Sequence, residues 1–238
     1  MTLRVMSYNV RGCRGLDSRA APWRIARIIA SLEPDLVALQ EIFIDRHGDQ
    51  IDAIAQRVGM SHIFCETVTT GHSRYGHAIL SRHPVERSRS ERLPGLPLSE
   101  PRSALWASAR VDGTLVSLCA THLSLDPIER TRQLDALLSN HVIGHDGPLV
   151  FGGDLNATPR GRLYRRLSGE LCDTWLAQKN PPRRRPGTWP ALLPLVTLDY
   201  LFVSRHLRVE RAWVPSGHEV AIASDHRPVL ADLTLPCR

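Results

Sequence analysis

The apolar positions of the chain alternate between the spacing of helices and the spacing of strands. Helical spacing recurs in four segments, each bounded by residues that favour helix ends. The first lies between Pro22 and Pro34, the second between Asp49 and Gly59, the third starts at Asp126–Pro127, and the fourth follows Thr158–Pro159 and ends near Gly169. The pattern therefore predicts four helices, two in each half of the chain.

Runs of apolar and β-branched residues between these helices predict strands. The predicted strands cover residues 3–9, 35–40, 77–81, 103–111, 114–122, 148–153, 197–204 and 228–234. Asp112–Gly113 separates two of them and is typical of a tight hairpin, so these two should be antiparallel. Mainly antiparallel strands with helices in both halves favour an α+β fold of two packed sheets flanked by helices. No glycine-rich phosphate loop is present, which disfavours a doubly wound nucleotide-binding fold.

Polar residues cluster where the predicted strands end or begin. The clusters are Asn9, Gln40–Glu41, Thr121–His122, Asp154 with Asn156, Asp199, and Ser224–Asp225–His226. Any one of them could be a turn or a helix cap, but six in one chain favour a common site at one rim of a sheet. Carboxylates, amides and two histidines together suit the metal-assisted hydrolysis of a phosphate ester.

The residue types suggest roles within such a site. Glu41, Asn9 and Asp225 offer the hard oxygen ligands that Mg²⁺ prefers, and Mn²⁺ accepts the same set. Asp154 and Asn156 are two residues apart, and in an extended segment they would point to the same face. One of them could then take a proton from water while the other fixes the geometry.

The two histidines offer a different chemistry. His226 and His122 are candidates for stabilising or protonating phosphate oxygens. Asp199 is available to orient a histidine ring. For each histidine alone, a structural role is the alternative.

Taken together, these motifs resemble the endonuclease/exonuclease/phosphatase superfamily of deoxyribonuclease I-like, metal-dependent phosphoesterases. The resemblance extends from Ser7–Tyr8–Asn9 to Ser224–Asp225–His226. It implies that residues 1–238 form one domain with a four-layer αββα sandwich, in which two packed mixed sheets are flanked by helices. It also implies Mg²⁺ or Mn²⁺ as the cofactor.

The resemblance assigns roles to the residues that match the family's motifs. Asn9 and Glu41 would hold metal, with Asp225 as a further ligand or near-ligand. Asp154 would activate or position the attacking water, assisted by Asn156.

The same resemblance covers the histidines and one arginine. Asp199 would pair with His226, which would face the scissile phosphate. Arg102 is similar to an arginine that reaches phosphate in the nuclease branch, and a surface arginine at a strand start is its alternative reading. The segment Thr121–His122–Leu123 differs from that of abasic-site endonucleases and makes that branch less favoured.

Charge bears on the substrate. The net charge of +6 and the isoelectric point near 9.5 favour an anionic partner. Nucleic acid comes first, since the proline-rich loop that holds Arg183–Arg184–Arg185 and Trp189 could bind a phosphate backbone and a base or acyl group. A phospholipid, sphingomyelin or inositol-phosphate headgroup comes second. The sequence thus predicts a divalent-metal-dependent phosphodiester hydrolase, a nuclease first, with a catalytically silent binding module as a less favoured third reading.

Cysteine usage and the first residues bear on the compartment. The five cysteines are scattered and show no zinc-binding spacing, so free thiols in a reducing compartment are expected. The chain opens with Met1–Met6 leading into a strand, without an apolar segment long enough for a signal peptide or membrane span. A cytoplasmic monomer is the resulting expectation.

Overall fold

The computed structural model of the protein describes residues 2–139 and 147–235. The strands within these ranges are β1 (Thr2–Asn9), β2 (Leu36–Asp45), β3 (Gly48–Asp49), β4 (Ser61–Thr70), β5 (Ser73–Ser81), β6 (Val85–Leu93), β7 (Arg102–Val111), β8 (Thr114–His122), β9 (Leu149–Asp154), β10 (Cys172–Asp173), β11 (Asp199–Val203), β12 (Arg208–Trp213) and β13 (Val229–Thr234). The α-helices are α1 (Pro22–Leu32), α2 (Gln50–Val58), α3 (Pro127–Ser139), α4 (Arg162–Glu170), α5 (Thr174–Ala177) and α6 (His218–Ala223). All four predicted helices and all eight predicted strands are present.

The strands form two mixed sheets. The first has the order β12-β13-β1-β2-β5-β4, with β3 paired to β2, and the second has the order β10-β11-β9-β8-β7-β6. Parallel pairing occurs between β1 and β2 and between β8 and β9, while the other pairs are antiparallel. The Asp112–Gly113 hairpin is confirmed, and both of its residues have positive φ, as a tight hairpin turn requires.

The two sheets pack face to face, and helices cover their outer faces. The inner core joins residues of both sheets, such as Val5 and Leu118. The outer face of the first sheet packs on α1 and α2, where Ile25 is fully buried. The outer face of the second sheet packs on α3 and α4, where Leu134 is buried. The expected four-layer αββα sandwich is therefore confirmed.

Three of the longer strands had no sequence signal, and each is an edge strand. They are β4, β6 and β12. In β6 the sequence reads VERSRSERL, and most of its side chains are exposed. An edge strand bonds to one neighbour and is solvated on its free side, so it can be polar where a central strand must be apolar. Solvent on the free side of these strands therefore accounts for their lack of a regular alternation of apolar and polar residues.

The cysteines of the described ranges are free thiols, as expected: Cys13, Cys65, Cys119 and Cys172. Cys237 lies outside the described residues. Among the helices that the structure describes, none is both long and apolar enough to cross a bilayer.

Candidate active site

Side-chain alternation brings several polar residues to one rim between the sheets. Each follows or precedes inner-core residues of its own strand at even spacing, so its side chain lies on the same face. The pairs are Val5 with Asn9, Leu118 with His122, Val150 with Asp154, and Leu201 with Asp199. The register places Asp154 directly beside both His122 and Asp199. The predicted common rim is therefore present.

A glycine allows the two central strands of this rim to approach. Gly153 precedes Asp154 in β9, and a Cβ atom there would lie 2.2 Å from the carbonyl oxygen of Thr121. Any side chain at this position would push β9 away from β8, and with it Asp154 from His122. The glycine therefore serves the geometry of the site.

Glu41 reaches the site through a β-bulge within β2 rather than at a strand end. The pairing of β2 with β5 shifts between Leu39 and Ile42, and Glu41 has a φ of 61°. Leu39 and Ile42 both remain in the helix-facing core. The extra residue lets Glu41 turn toward the rim without moving these apolar side chains out of the core.

The segment after α6 delivers the second histidine. Ser224 Oγ donates to the backbone carbonyl of Asn9 at 2.8 Å, which fixes this segment on the end of β1. His226 Nδ1 then donates to Asp199 Oδ2 at 2.8 Å, and its Nε2 lies 3.7 Å from Asp154 Oδ2. The predicted Asp199–His226 pair is thus formed, and the free side of the ring faces the rim.

Thr188, which the sequence reading did not single out, holds the start of β11 in place. Its side chain is fully buried, and its Oγ1 accepts hydrogen bonds from the backbone N–H groups of Leu198, at 3.0 Å, and Asp199, at 3.2 Å. No motif could have revealed this, because the two N–H groups become neighbours of Thr188 only after the loop folds back.

Replacing Thr188 with valine keeps the side-chain shape but removes the acceptor. Two backbone N–H groups would then lose their bond to the hydroxyl, so the free energy of unfolding in urea should fall by about 1–3 kcal/mol. Thr188→Ser is the matched control, because it keeps the hydroxyl and should lose about 1 kcal/mol or less. Equal stability of the valine variant and the wild type would contradict this role.

The charges within the cluster determine its protonation. Burial alone would lower the pKa of His226, but the carboxylates of Asp199, Asp154 and Asp225 raise it to about 10. Burial raises the pKa of Asp154 above its ordinary value, and the Asp199 charge adds to this against the His226 charge. At neutral pH the site therefore holds an imidazolium beside a carboxylate that accepts a proton more readily than usual.

Asn156 reaches the site in a way that differs from the prediction. Its backbone has a φ of 48°, and its N–H donates to Asp154 Oδ1 at 2.9 Å, so the chain turns directly after β9. The expected extended segment with both side chains on one face is wrong. The turn still serves the site, because Asn156 Nδ2 donates to the Leu123 carbonyl at 2.9 Å and lies 3.0 Å from His122 Nε2.

His122 lies between two hydrogen-bond donors. Arg102 Nη1, which can only donate, is 3.2 Å from His122 Nδ1, and Asn156 Nδ2 approaches the other ring nitrogen. Burial lowers the pKa of His122 far below its usual value, and the Arg102 charge lowers it further, so the ring is neutral. A neutral imidazole carries one proton and cannot accept at both nitrogens. Carboxylate oxygens also lie near both nitrogens, Glu41 Oε1 at 3.8 Å from Nδ1 and Asp154 Oδ2 at 3.5 Å from Nε2, so the ring connects the basic and the acidic side of the cluster.

Arg102 is not the surface arginine of the alternative reading. Its side chain is 5% exposed, and Nη2 forms a salt bridge with Glu100 at 3.2 Å. Its Nε atom is buried with no partner among the described residues. A buried guanidinium with an unpartnered N–H at the edge of a cleft is suited to an incoming oxyanion.

Glu41 and Asn9 form the other end of the cluster. Asn9 Nδ2 donates to Glu41 Oε1 at 2.9 Å and to Asp154 Oδ2 at 3.1 Å, while its Oδ1 accepts from the Arg11 N–H at 3.1 Å. Burial raises the pKa of Glu41, the Asn9 bond lowers it, and the charge of Asp225 raises it again. A carboxylate whose ionisation is disfavoured both by burial and by a second negative charge suits a cation.

A cleft of about 840 Å³ opens over the cluster. Its polar lining includes Glu41, Arg102, His122, Asp154, Asn156 and His226. Its remaining wall is largely apolar, with Phe43, Val68, Tyr75, Leu125, Trp189, Val196 and Leu198. Asn9, Asp199 and Asp225 are not part of this lining, so they act on the lining residues or from the side. Tyr75 and Phe43 carried no sequence motif and were missed.

The arginine-rich loop differs from its predicted role in one residue. Arg185 is ion-paired with Asp173, and its guanidinium lies 5.3 Å from the ring centre of Tyr200. Arg185 is therefore part of the folded structure and is not available to a phosphate backbone. Arg183 and Arg184 are exposed but do not line the cleft, whereas Trp189 does.

A two-sheet sandwich with acids, amides and histidines at one rim defines the class of deoxyribonuclease I-like phosphoesterases. The sequence model of the Endonuclease/Exonuclease/phosphatase family matches residues 6–226 of the chain. The protein therefore belongs to this family, whose members are hydrolases of phosphoester bonds.

One curated protein is similar to the chain in sequence. UPF0294 protein VP2298 of Vibrio parahaemolyticus is 28% identical over 165 residues, 66% of this chain and 54% of that protein. The chain thus spans about half the length of this curated relative.

Solved structures carry the same fold. An endonuclease/exonuclease/phosphatase from Beutenbergia cavernae has a TM-score of 0.84 at 26% identity, covering 99% of this chain and 72% of that one. Mannosyl-6-phosphatase Bt3783 of Bacteroides thetaiotaomicron has a TM-score of 0.81 at 20% identity, covering 98% and 100%. The second likeness concerns the fold alone.

Proposed function

We propose that the protein is a divalent-metal-dependent phosphodiester hydrolase. The observation that carries the proposal is the His226 ring, which is hydrogen-bonded to Asp199 and lies 3.7 Å from the Asp154 carboxylate in the lining of the cleft. A cation that binds a phosphate oxygen and a base that takes a proton from water are the two groups that hydrolysis needs.

The residues fit a divalent cation at the Glu41 end of the cluster. Glu41, which lines the cleft, would hold Mg²⁺ or Mn²⁺. Asp225, which lies 3.6 Å from Arg11 Nε, would be a second carboxylate ligand. Asn9 would contribute as a ligand only if its oxygen left the Arg11 N–H. Such an ion supplies positive charge against the phosphate and leaving oxygens.

The side chains of the cluster divide the reaction between them. Asp154, held by the Asn9 amide and the Asn156 N–H, would accept the proton of the attacking water. His226, kept protonated by Asp199, would donate to a non-bridging phosphate oxygen. Arg102 would add a second cationic donor from the opposite side.

His122 is assigned to the leaving oxygen, and the two kinds of substrate separate this role from mere positioning. His122→Ala should lower turnover of a diester of simple alcohols, such as a glycerophosphodiester, about 10–100-fold more than turnover of bis(p-nitrophenyl) phosphate. The reason is that the N–H of the neutral His122 ring would donate a hydrogen bond to the leaving oxygen as its charge develops, which an alkoxide needs, whereas nitrophenolate needs little help.

Steady-state kinetics on both substrates measure this difference. Equal losses would mean that His122 only positions phosphate or metal, and no loss on either would return it to a structural role. His206→Ala is the matched control, since His206 is exposed and outside the cleft lining. A strong preference for simple monoesters over diesters would instead favour a phosphatase.

The cleft bears on the predicted order of substrates. Nucleic acid came first because of the net charge of +6 and the arginine-rich loop. Arg185 is ion-paired, and Arg183 and Arg184 are not among the cleft-lining residues, so the general charge and Trp189 are what still support that order. The apolar wall beside the phosphate-binding groups is a specific observation in favour of the second candidate, a phospholipid or related headgroup diester.

A further inference from the structure

The large apolar side chains that are exposed concentrate around the mouth of the cleft. Of the ten within residues 2–139 and 147–235, six lie on two segments that flank the cleft: Leu125, Ile128, Trp189, Leu192, Leu193 and Leu195. Single exposed apolar residues are ordinary, but a group around one opening indicates a binding surface.

The first segment, residues 188–197, is here called the leucine hairpin. Its stem is closed by the antiparallel bridge between Trp189 and Val196, and both of these residues line the cleft. Its tip carries Leu192, Leu193 and Leu195, which are 65%, 66% and 71% exposed. None of the three lines the cleft, so their exposure is not explained by the reaction itself.

The leucine hairpin is held firmly on the catalytic segment. The N–H of Ala191 donates to the Asp225 carbonyl at 2.7 Å, and the N–H of Arg227 donates to the Thr188 carbonyl at 2.8 Å. Arg227 Nε also donates to the Ala191 carbonyl at 2.7 Å. The tip is therefore presented at a fixed place beside His226 and cannot fold over to bury its leucines without breaking these bonds.

The opposite side of the cleft presents a second apolar edge. Leu125 lines the cleft and is 73% exposed, and Ile128 in the first turn of α3 is 58% exposed. Asp126 caps this helix by accepting from the N–H groups of Ile128 and Glu129, at 2.8 and 2.9 Å. Both sides of the opening thus carry aliphatic side chains on anchored backbone.

A guanidinium accompanies each apolar edge. Arg130 Nη1 donates to the Leu125 carbonyl at 2.9 Å, and Arg227 lies at the base of the leucine hairpin. Neither arginine forms a salt bridge within the part of the chain that the structure describes. Their free donors can bind phosphate groups around the cleft while the aliphatic tips enter an apolar layer.

We propose that these two apolar edges dock the protein on a lipid bilayer, with the cleft facing the headgroups. Apart from Trp189, these side chains are leucine and isoleucine, which have no donors for base edges and no ring for base stacking, so the surface suits a nucleic acid less well than an apolar layer. Aliphatic tips beside unpaired arginines match the acyl and phosphate layers of a membrane surface. The inference that the substrate is a lipid with a phosphodiester headgroup rests on the proposed function. The inference that the protein docks on a bilayer does not.

The test is binding to vesicles in excess EDTA, which keeps hydrolysis out of the measurement. The wild type should co-sediment with vesicles of phosphatidylcholine containing a fifth of phosphatidylglycerol. The variant L192S/L193S/L195S should bind these vesicles roughly a hundredfold more weakly, because three aliphatic side chains no longer enter the apolar layer. Leu176→Ser is the matched control, since Leu176 is 62% exposed but lies outside the cleft, and it should bind like the wild type.

Turnover of bis(p-nitrophenyl) phosphate, measured with metal present, separates docking from catalysis and from misfolding. The triple variant should keep its turnover on this soluble diester while losing its binding to vesicles, and that result would support the proposal. Absence of wild-type binding, or equal binding by the triple variant, would overturn it. Loss of binding to a fluorescent single-stranded oligonucleotide in the triple variant alone, with vesicles unaffected, would assign the tip to nucleic acid instead. Lack of wild-type turnover on soluble diesters would contradict the proposed function and leave the vesicle result standing.

Discussion

Excess EDTA should abolish turnover of bis(p-nitrophenyl) phosphate, and Mg²⁺ or Mn²⁺ should restore it. The expected reason is that the proposed ligands Glu41 and Asp225 offer carboxylates, which are the hard oxygen ligands that these ions prefer. Zn²⁺ should restore activity poorly, because it prefers nitrogen and sulfur ligands. The measurement is a rate titration of the chelated protein with each metal.

Replacing the proposed metal ligand Glu41 tests whether the metal dependence of the rate arises at this site. Glu41→Gln keeps the side-chain size and removes the charge, so it should raise the Mg²⁺ concentration needed for half-maximal rate by at least about tenfold. Glu100→Gln is the matched control, because Glu100 also lines the cleft but is paired with Arg102. Full activity in excess EDTA would contradict the assignment of a metal-dependent reaction.

Asp154→Asn should lower turnover by about two to four orders of magnitude, the usual effect of removing a positioned acid–base group. The variant should still fold, with a free energy of unfolding at most about 1–3 kcal/mol below that of the wild type, because its amide can accept from only one of Asn9 and Asn156. Removal of the buried charge offsets part of this loss. A large loss of rate in a variant that remains folded in a urea titration would separate a catalytic role from a structural one.

His226→Ala should give a loss of the same order. His226 is the cation nearest to Asp154, and Asp199 holds its ring in place. His206→Ala, on the exposed surface, should retain the wild-type rate. Wild-type turnover in either the Asp154→Asn or the His226→Ala variant would show that the reaction occurs at a different site.

The central elements of the fold were predictable, and the edges were not. The central strands β1, β2, β8, β9 and β11 are buried and therefore apolar, which leaves a clear pattern in the sequence. The edge strands β4, β6 and β12 have a solvated side, and β6 is so polar that no alternation survives. A regular apolar pattern arises only where a strand is buried, so the less buried strands were not predicted.

The positions of the site residues were predictable to the same extent as the strands that carry them. Asn9, His122, Asp154 and Asp199 continue the inner-face alternation of central strands, so the sequence placed them at one rim. Glu41 is placed at the rim by a β-bulge, which depends on the pairing of β2 with β5. Asn156 is placed there by a left-handed turn, which depends on the hydrogen bond from its N–H to the Asp154 side chain. No periodicity in the chain encodes either of them.

By itself, the sequence determined two packed sheets flanked by helices and the set of polar residues that meet at the rim, because both depend on local spacing and residue type. The four-layer αββα order followed from the resemblance of its motifs to those of the family. Only the tertiary structure decided what surrounds that rim. It buried Arg185 in an ion pair with Asp173, placed Thr188 under the start of β11, and left the tip of the leucine hairpin exposed beside the cleft. Arginine, threonine and leucine have no fixed environment in a sequence, since each takes its role from partners far along the chain that only folding brings into contact.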